Sequence, residues 1–101
     1  MSVRVHAVGR ADLAPFEMPD RFRHDVTYFV TSTGEKGAPE KLGEGEWWVR
    51  SDDARQIYDD GTIRIVSPLD STTTAELEIT EEQEAWLRWM IDNRIERIRL
   101  A

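Results

Sequence analysis

Alternation of apolar and polar positions predicts several short strands. The opening segment, MSVRVHAVGR, places Val3, Val5 and Ala7 on one face before Gly9 ends the pattern. The same reasoning predicts strands in VTYFVTST (26–33), EWWVR (46–50), TIRIV (62–66), AELEI (75–79) and RIERIRL (94–100). The 26–33 strand is expected to be covered on both sides. The strands at 62–66 and 75–79 are expected to pair antiparallel, with one face in water.

Helical spacing of apolar residues predicts two helices. The first begins with Ser51 as its N-cap and ends before Gly61, a residue that favours the left-handed C-terminal conformation. The second follows a capping box of Thr80 and Gln83, and its sequence EEQEAWLRWMIDN carries an apolar stripe that indicates a buried face. Asn93 is predicted to end this helix in a left-handed conformation.

Two segments between these elements are predicted to be loops. Residues 10–25 show no sustained periodicity and are interrupted by Pro15 and Pro19. Residues 34–46 hold four of the six glycines and are predicted to be a mobile connection.

The order of elements predicts an α+β fold, built as a single domain over residues 1–101. The expected architecture is a mostly antiparallel sheet of about five to six short strands, with two helices packed on one side. The last strand, helix and strand are expected to form a right-handed parallel crossover.

The four tryptophans occur as two pairs with different expectations. Trp86 and Trp89 coincide with the apolar face of the second helix, so they are predicted to belong to the core. Trp47 and Trp48 are adjacent in a strand, so their side chains must point to opposite faces. One of these two indoles is therefore the best aromatic candidate for contact with a partner.

Composition narrows the classes of function. The chain has 101 residues, no cysteine and a formal net charge of −7. Without cysteine it forms no disulfide or thiolate metal site, which fits a cytoplasmic protein. The negative charge disfavours nucleic acid and anionic membrane surfaces as partners. No apolar run approaches the roughly 20 residues of a membrane-spanning helix.

The negative charge is unevenly distributed. Residues 71–84 hold five acidic residues and no basic one, whereas residues 85–101 hold four basic and two acidic residues. Glu76 and Glu78 lie on the predicted outer face of a strand, where they suit either a docking surface for a basic partner or ordinary solvation. The basic terminal residues Arg94, Arg97 and Arg99 are candidates to pair with these carboxylates, within the chain or across a dimer.

The chain contains no recognisable catalytic or metal-binding pattern. Neither His6 nor His24 has neighbours at metal-ligand spacing, and the nucleophile elbow and the phosphate-binding, dinucleotide and zinc-peptidase motifs do not occur. We therefore predict no catalytic residue, no metal and no cofactor.

Two functional hypotheses remain. The preferred one is a non-catalytic interaction or regulatory domain that binds another protein or a second copy of itself through Trp47, Trp48, Glu76 and Glu78. The alternative is a small-ligand module or minor enzyme with a pocket between the sheet and the 10–25 loop, formed by Arg21, His24 and Asp25. The first is preferred because a catalytic pocket in so short a chain competes with the core for volume.

Overall fold

The computed structural model describes residues 3–18, 24–32, 42–67, 69–70 and 72–100, with the backbone alone for His24 and Asp25. Its elements, in chain order, are β1 (Val3–Ala7), β2 (Phe16–Met18), α1 (His24–Val30), β3 (Thr31–Ser32), β4 (Glu46–Val49), α2 (Ser51–Asp60), β5 (Thr62–Val66), β6 (Thr74–Glu78), α3 (Glu81–Asp92) and β7 (Arg97–Leu100). This content of strands and helices confirms the predicted α+β class.

The strands form two separate sheets. Five of them make an antiparallel sheet in the order β2-β1-β7-β4-β3, and β5 pairs with β6 in an antiparallel two-stranded ribbon. The predicted parallel crossover is therefore wrong, because the strand before α3 belongs to the ribbon and the strand after it lies between β1 and β4 in the larger sheet.

One apolar cluster joins the larger sheet, the helices and the start of the ribbon. Its buried members are Val5, Met18, Val26, Val30, Ala54, Ile57, Ile63, Trp86, Leu87, Met90, Ile95 and Ile98. Ile63 is the member contributed by the ribbon, so β5 is anchored to the rest of the fold through this side chain.

The prediction of a strand over residues 26–33 is wrong, since residues 24–30 form α1. Val26 and Val30 are buried while Tyr28 is 73% exposed, which is the four-residue spacing of one helix face. Burial of this face outweighs the preference of β-branched and aromatic residues for strands, which is weak and depends on context. Among the described residues of this segment, 26–32, the extended ones are Thr31 and Ser32.

Helix α2 begins one residue earlier than its sequence suggests, so the predicted N-cap role of Ser51 is wrong. Ser51 is its first helical residue, and Arg50 occupies the N-cap position without a side-chain capping hydrogen bond. The Arg50 backbone N–H donates instead to the Val30 carbonyl at 2.7 Å, which holds residue 50 outside the helix. Gly61 ends the helix in the left-handed conformation, as predicted, with φ of 70°.

Helix α3 confirms the predicted capping box. The Gln83 backbone N–H donates to Thr80 Oγ1 at 3.2 Å, and the Thr80 N–H donates to Gln83 Oε1 at 2.9 Å. The left-handed residue after this helix is Arg94, with φ of 52°, and not Asn93. Asn93 instead donates from its side-chain amide to the Trp89 carbonyl at 2.8 Å.

The two predicted loops have different outcomes. The 10–25 segment contains β2 and the beginning of α1, so the prediction of a continuous loop is wrong in its described part. Most of the predicted mobile connection over residues 34–46 lies outside the described residues, and strand β4 begins at its last residue, Glu46.

Candidate interaction site

The ribbon presents an apolar face that is only partly covered. Ile63 lies opposite Leu77, and Ile65 opposite Ala75, so these four side chains share one face. Ile63 is buried and Ile65 half-buried, whereas all five residues of β6 are exposed. The antiparallel pairing was predicted correctly. The prediction that only one face of this pair is in water is wrong for β6, since Ala75 and Leu77 are exposed as well as the residues of the other face.

The hydrogen bonds of the ribbon identify which backbone groups of β6 point away from β5. Bonds from the Ser67 N–H to the Thr73 carbonyl (3.0 Å) and from the Ile79 N–H to the Gly61 carbonyl (3.1 Å) frame the ladder. In an antiparallel pair, hydrogen-bonded and non-hydrogen-bonded positions alternate. Residues 73, 75, 77 and 79 therefore bond to β5, and the N–H and C=O groups of Thr74, Glu76 and Glu78 point outward.

The outer edge of β6 has no strand beside it within the described residues, where β6 pairs with β5 alone. Unpaired backbone groups along an exposed strand form a template for another extended chain. Thr74, Glu76 and Glu78 thus supply a row of donors and acceptors that no other described strand pairs with.

The charge around this edge is negative. Arg64 on β5 donates to Glu76 across the ribbon at 3.0 Å, and both side chains are solvent-exposed. Glu78 adds a second carboxylate on the same face, and the first turn of α3 adds Glu81, Glu82 and Glu84. Within the described part of the chain, Glu76 pairs with Arg64 and not with Arg94, Arg97 or Arg99, whereas pairing across a dimer stays a prediction.

The turn that joins β5 to β6 is organised by Asp70. Its carboxylate accepts hydrogen bonds from the Thr72 backbone N–H at 3.0 Å and from the Thr72 and Thr73 hydroxyls at 2.7 Å each. The bond from the Thr72 hydroxyl, followed by that from Thr73, lowers the pKa of Asp70 below its usual value. Leu69, in the same turn, is 97% exposed.

The strand tryptophans lie in the larger sheet, away from the ladder that contains Glu76 and Glu78. Trp47 and Trp48 are both half-buried, and Trp47 packs against the core. Trp48 lies on the opposite face, where the Arg97 guanidinium is 5.6 Å from the ring centroid. The four residues proposed for partner binding therefore belong to two different sheets, and their joint role stays a prediction.

The helix tryptophans are core residues, as predicted. Trp86 is fully buried, and Trp89 is half-buried against the same cluster. The Trp89 ring lies 5.4 Å from the ring of Phe16 in a tilted arrangement, which ties α3 to β2.

The described residues do not include the side chains proposed for the small-ligand site. Arg21 and the side chains of His24 and Asp25 lie outside the described residues, so their role stays a prediction. Near the start of the 10–25 segment, a cleft of about 440 Å³ is lined by His6, Arg10, Glu46 and Arg99, among others. One of its cations, Arg10, is already bonded to other parts of the chain: it donates to Asp12 Oδ2 at 3.0 Å and to the Asn93 carbonyl at 2.6 Å.

Two further properties bear on the classes of function. Within the described residues, no group of three or more His, Asp or Glu side chains is arranged to hold a metal ion. None of the helices in the described part of the chain is both long and apolar enough to cross a membrane.

Comparison with known proteins found no matching family model, no matching curated protein and no matching solved structure.

Sequence reasoning identified Glu76 and Glu78 but missed the importance of Ala75 and Leu77. Alternation shows which side chains share a face, but it does not show whether another layer covers that face. The alternation of AELEI therefore carried no signal that β6 is exposed.

Proposed function

We propose that this protein is a non-catalytic interaction domain that binds a partner protein on the β5–β6 ribbon. The observation that carries the proposal is that all five residues of β6 are exposed, although its sequence alternates as if one face were buried. Exposed apolar side chains that lie together commonly mark sites of protein association.

The distribution of exposed apolar residues supports this choice of surface. In the described part of the chain, the large hydrophobic residues that are exposed are Tyr28, Val66, Leu69 and Leu77. Three of these four belong to the ribbon or its turn, with exposed fractions of 49% for Val66, 97% for Leu69 and 36% for Leu77. Leu77 lies on the apolar face of the ribbon, and Val66 lies on the opposite face. A two-stranded ribbon is marginally stable by itself, so a third strand or another covering layer would stabilise it.

The charge of the chain supports a protein partner over nucleic acid. A net charge of −7 opposes association with phosphate backbones, and the ribbon is flanked by carboxylates. We place this role in the cytoplasm as part of the proposal, because a chain without cysteine needs no oxidising compartment to fold.

Selection from a random peptide library on the purified protein tests this proposal. We expect the selected peptides to bind the wild-type chain and to lose about tenfold in affinity with Leu77→Ser, because a partly buried leucine contact contributes on the order of 1.5 kcal/mol. Tyr28→Ser is the matched control: it removes an apolar side chain that is 73% exposed, but on α1. It should leave affinity unchanged.

Titration calorimetry of each selected peptide with the three proteins gives the answer. Peptides that bind equally well to wild type and Leu77→Ser would refute docking on the ribbon. A loss with Tyr28→Ser alone would assign the site to α1 instead.

A further inference from the structure

We infer that the partner supplies an extended segment in which basic and apolar residues alternate, and that this segment pairs with the outer edge of β6 as a third strand. The inference rests on the proposed function, and it specifies which part of the ribbon is used and by what kind of sequence.

The first support is the backbone of β6. Three alternate residues, Thr74, Glu76 and Glu78, direct their N–H and C=O groups away from β5, as the framing hydrogen bonds of the ladder require. An added strand would satisfy these groups by main-chain hydrogen bonds, which supply affinity in this mode of recognition. Side chains at alternate positions supply the specificity.

The second support is the sequence that already pairs with β6 on its inner side. In β5, Arg64 lies opposite Glu76, while Ile63 lies opposite Leu77 and Ile65 opposite Ala75. A strand on the outer side meets the same side chains from the other direction. Opposite charges and apolar pairs are favourable when they face each other across strands, so the fitting sequence is again apolar, basic, apolar.

The same geometry argues against a second copy of β6 in the two registers that centre on Glu76 and Leu77. Pairing two β6 strands about a two-fold axis at Glu76 places this residue opposite its own copy, and an axis at Leu77 places Glu76 opposite Glu78 of the other chain. Like charges directly opposite each other destabilise a strand pair. A basic segment removes this repulsion and pairs both carboxylates.

The probe is a synthetic octapeptide of alternating arginine and valine with blocked ends, titrated into the full chain. Glu76→Pro removes an outward N–H but none of the hydrogen bonds to β5, and proline is tolerated at such edge positions. We expect this variant to bind the peptide about tenfold more weakly than Glu76→Gln, which loses the same charge but retains the N–H. Equal affinities of the two variants would overturn strand addition.

A second measurement uses the wild-type chain and does not depend on how the proline variant folds. Two versions of the peptide carry N-methyl groups on either the arginine or the valine residues. Alternate N–H groups of a strand point to opposite edges, so one set faces β6 and the other faces water. We expect one methylated peptide to bind like the parent and the other to lose about tenfold or more in affinity. Equal effects of the two sets would overturn the inference.

The outcomes separate this inference from the proposed function. If library peptides depend on Leu77 but the methylated probes behave alike, the ribbon is a docking surface used through its apolar face, and strand addition is wrong. If a peptide of alternating glutamate and valine binds as well as the arginine peptide, the assigned charge of the partner is wrong. If no peptide depends on Leu77, the proposed function itself fails.

Discussion

Removing the cap of α3 should measurably destabilise the protein. Thr80 lies between β6 and α3, and its hydroxyl accepts the Gln83 N–H at 3.2 Å. Thr80→Ala deletes this bond and leaves an N-terminal N–H of the helix without its side-chain acceptor. The reciprocal bond from the Thr80 N–H to Gln83 Oε1, at 2.9 Å, does not need the hydroxyl and can persist.

The magnitude follows from the loss of one of the two bonds. Replacing an N-cap threonine by alanine costs about 1 kcal/mol, within a range of roughly 0.5–2 kcal/mol. For a domain of about 100 residues, this lowers the melting temperature by roughly 4–8 °C. Thr80→Ser keeps a hydroxyl at the same position, so its free energy of unfolding should lie within about 0.3 kcal/mol of that of wild type.

Urea unfolding followed by tryptophan fluorescence measures this difference, because Trp86 is fully buried in the same helix. A Thr80→Ala protein as stable as wild type would refute an energetic role for the capping box. A Thr80→Ser protein as unstable as Thr80→Ala would show that the methyl group, and not the hydroxyl, is what matters.

Two further predictions concern the ribbon. Arg64→Ala removes the ion pair with Glu76, so the arginine–valine peptide should bind roughly two- to fivefold more tightly at low salt, as titration calorimetry would show, and the gain should shrink at high salt. The pKa of Asp70 is lowered in the folded chain by its bonds to Thr72 and Thr73, so its stabilising effect is present above the unfolded pKa of about 3.9 and is lost as pH falls through the folded value. Carboxyl NMR titration should therefore show that Asp70 protonates below that pH. Asp70→Asn should reduce the loss of folding stability at acid pH. A titration midpoint at the unfolded value would contradict this prediction.

The elements that could be predicted from sequence are those in which local chemistry and tertiary packing agree. The capping box of Thr80 and Gln83 and the terminal Gly61 have local causes, so they appear in the structure as expected. The strands with clear alternation, β1, β5 and β6, also lie close to their predicted positions.

The errors arise where packing decides between local alternatives. Val26 and Val30 are compatible with a strand by composition and with a helix by spacing, and burial of both on one side selects α1. The division into two sheets is also a tertiary property, because a strand's sequence does not specify which neighbour it pairs with.

The candidate site was predictable in part. Charge and strand position in the sequence identify Glu76 and Glu78. The structure adds that their backbone N–H and C=O groups lie on the outer edge of β6. Their separation from Trp47 and Trp48 depends on which strands belong to the ribbon, and this information is absent from local sequence patterns.

The most direct test of the docking edge is amide hydrogen exchange across β6, residue by residue, with and without the arginine–valine peptide. In the protein alone, the N–H groups of Thr74, Glu76 and Glu78 should exchange quickly, while those of Ala75 and Leu77 should be protected by their bonds to β5. Addition of the peptide should slow exchange at the first three positions. Fast exchange that persists there while the peptide is bound would contradict strand addition at this edge.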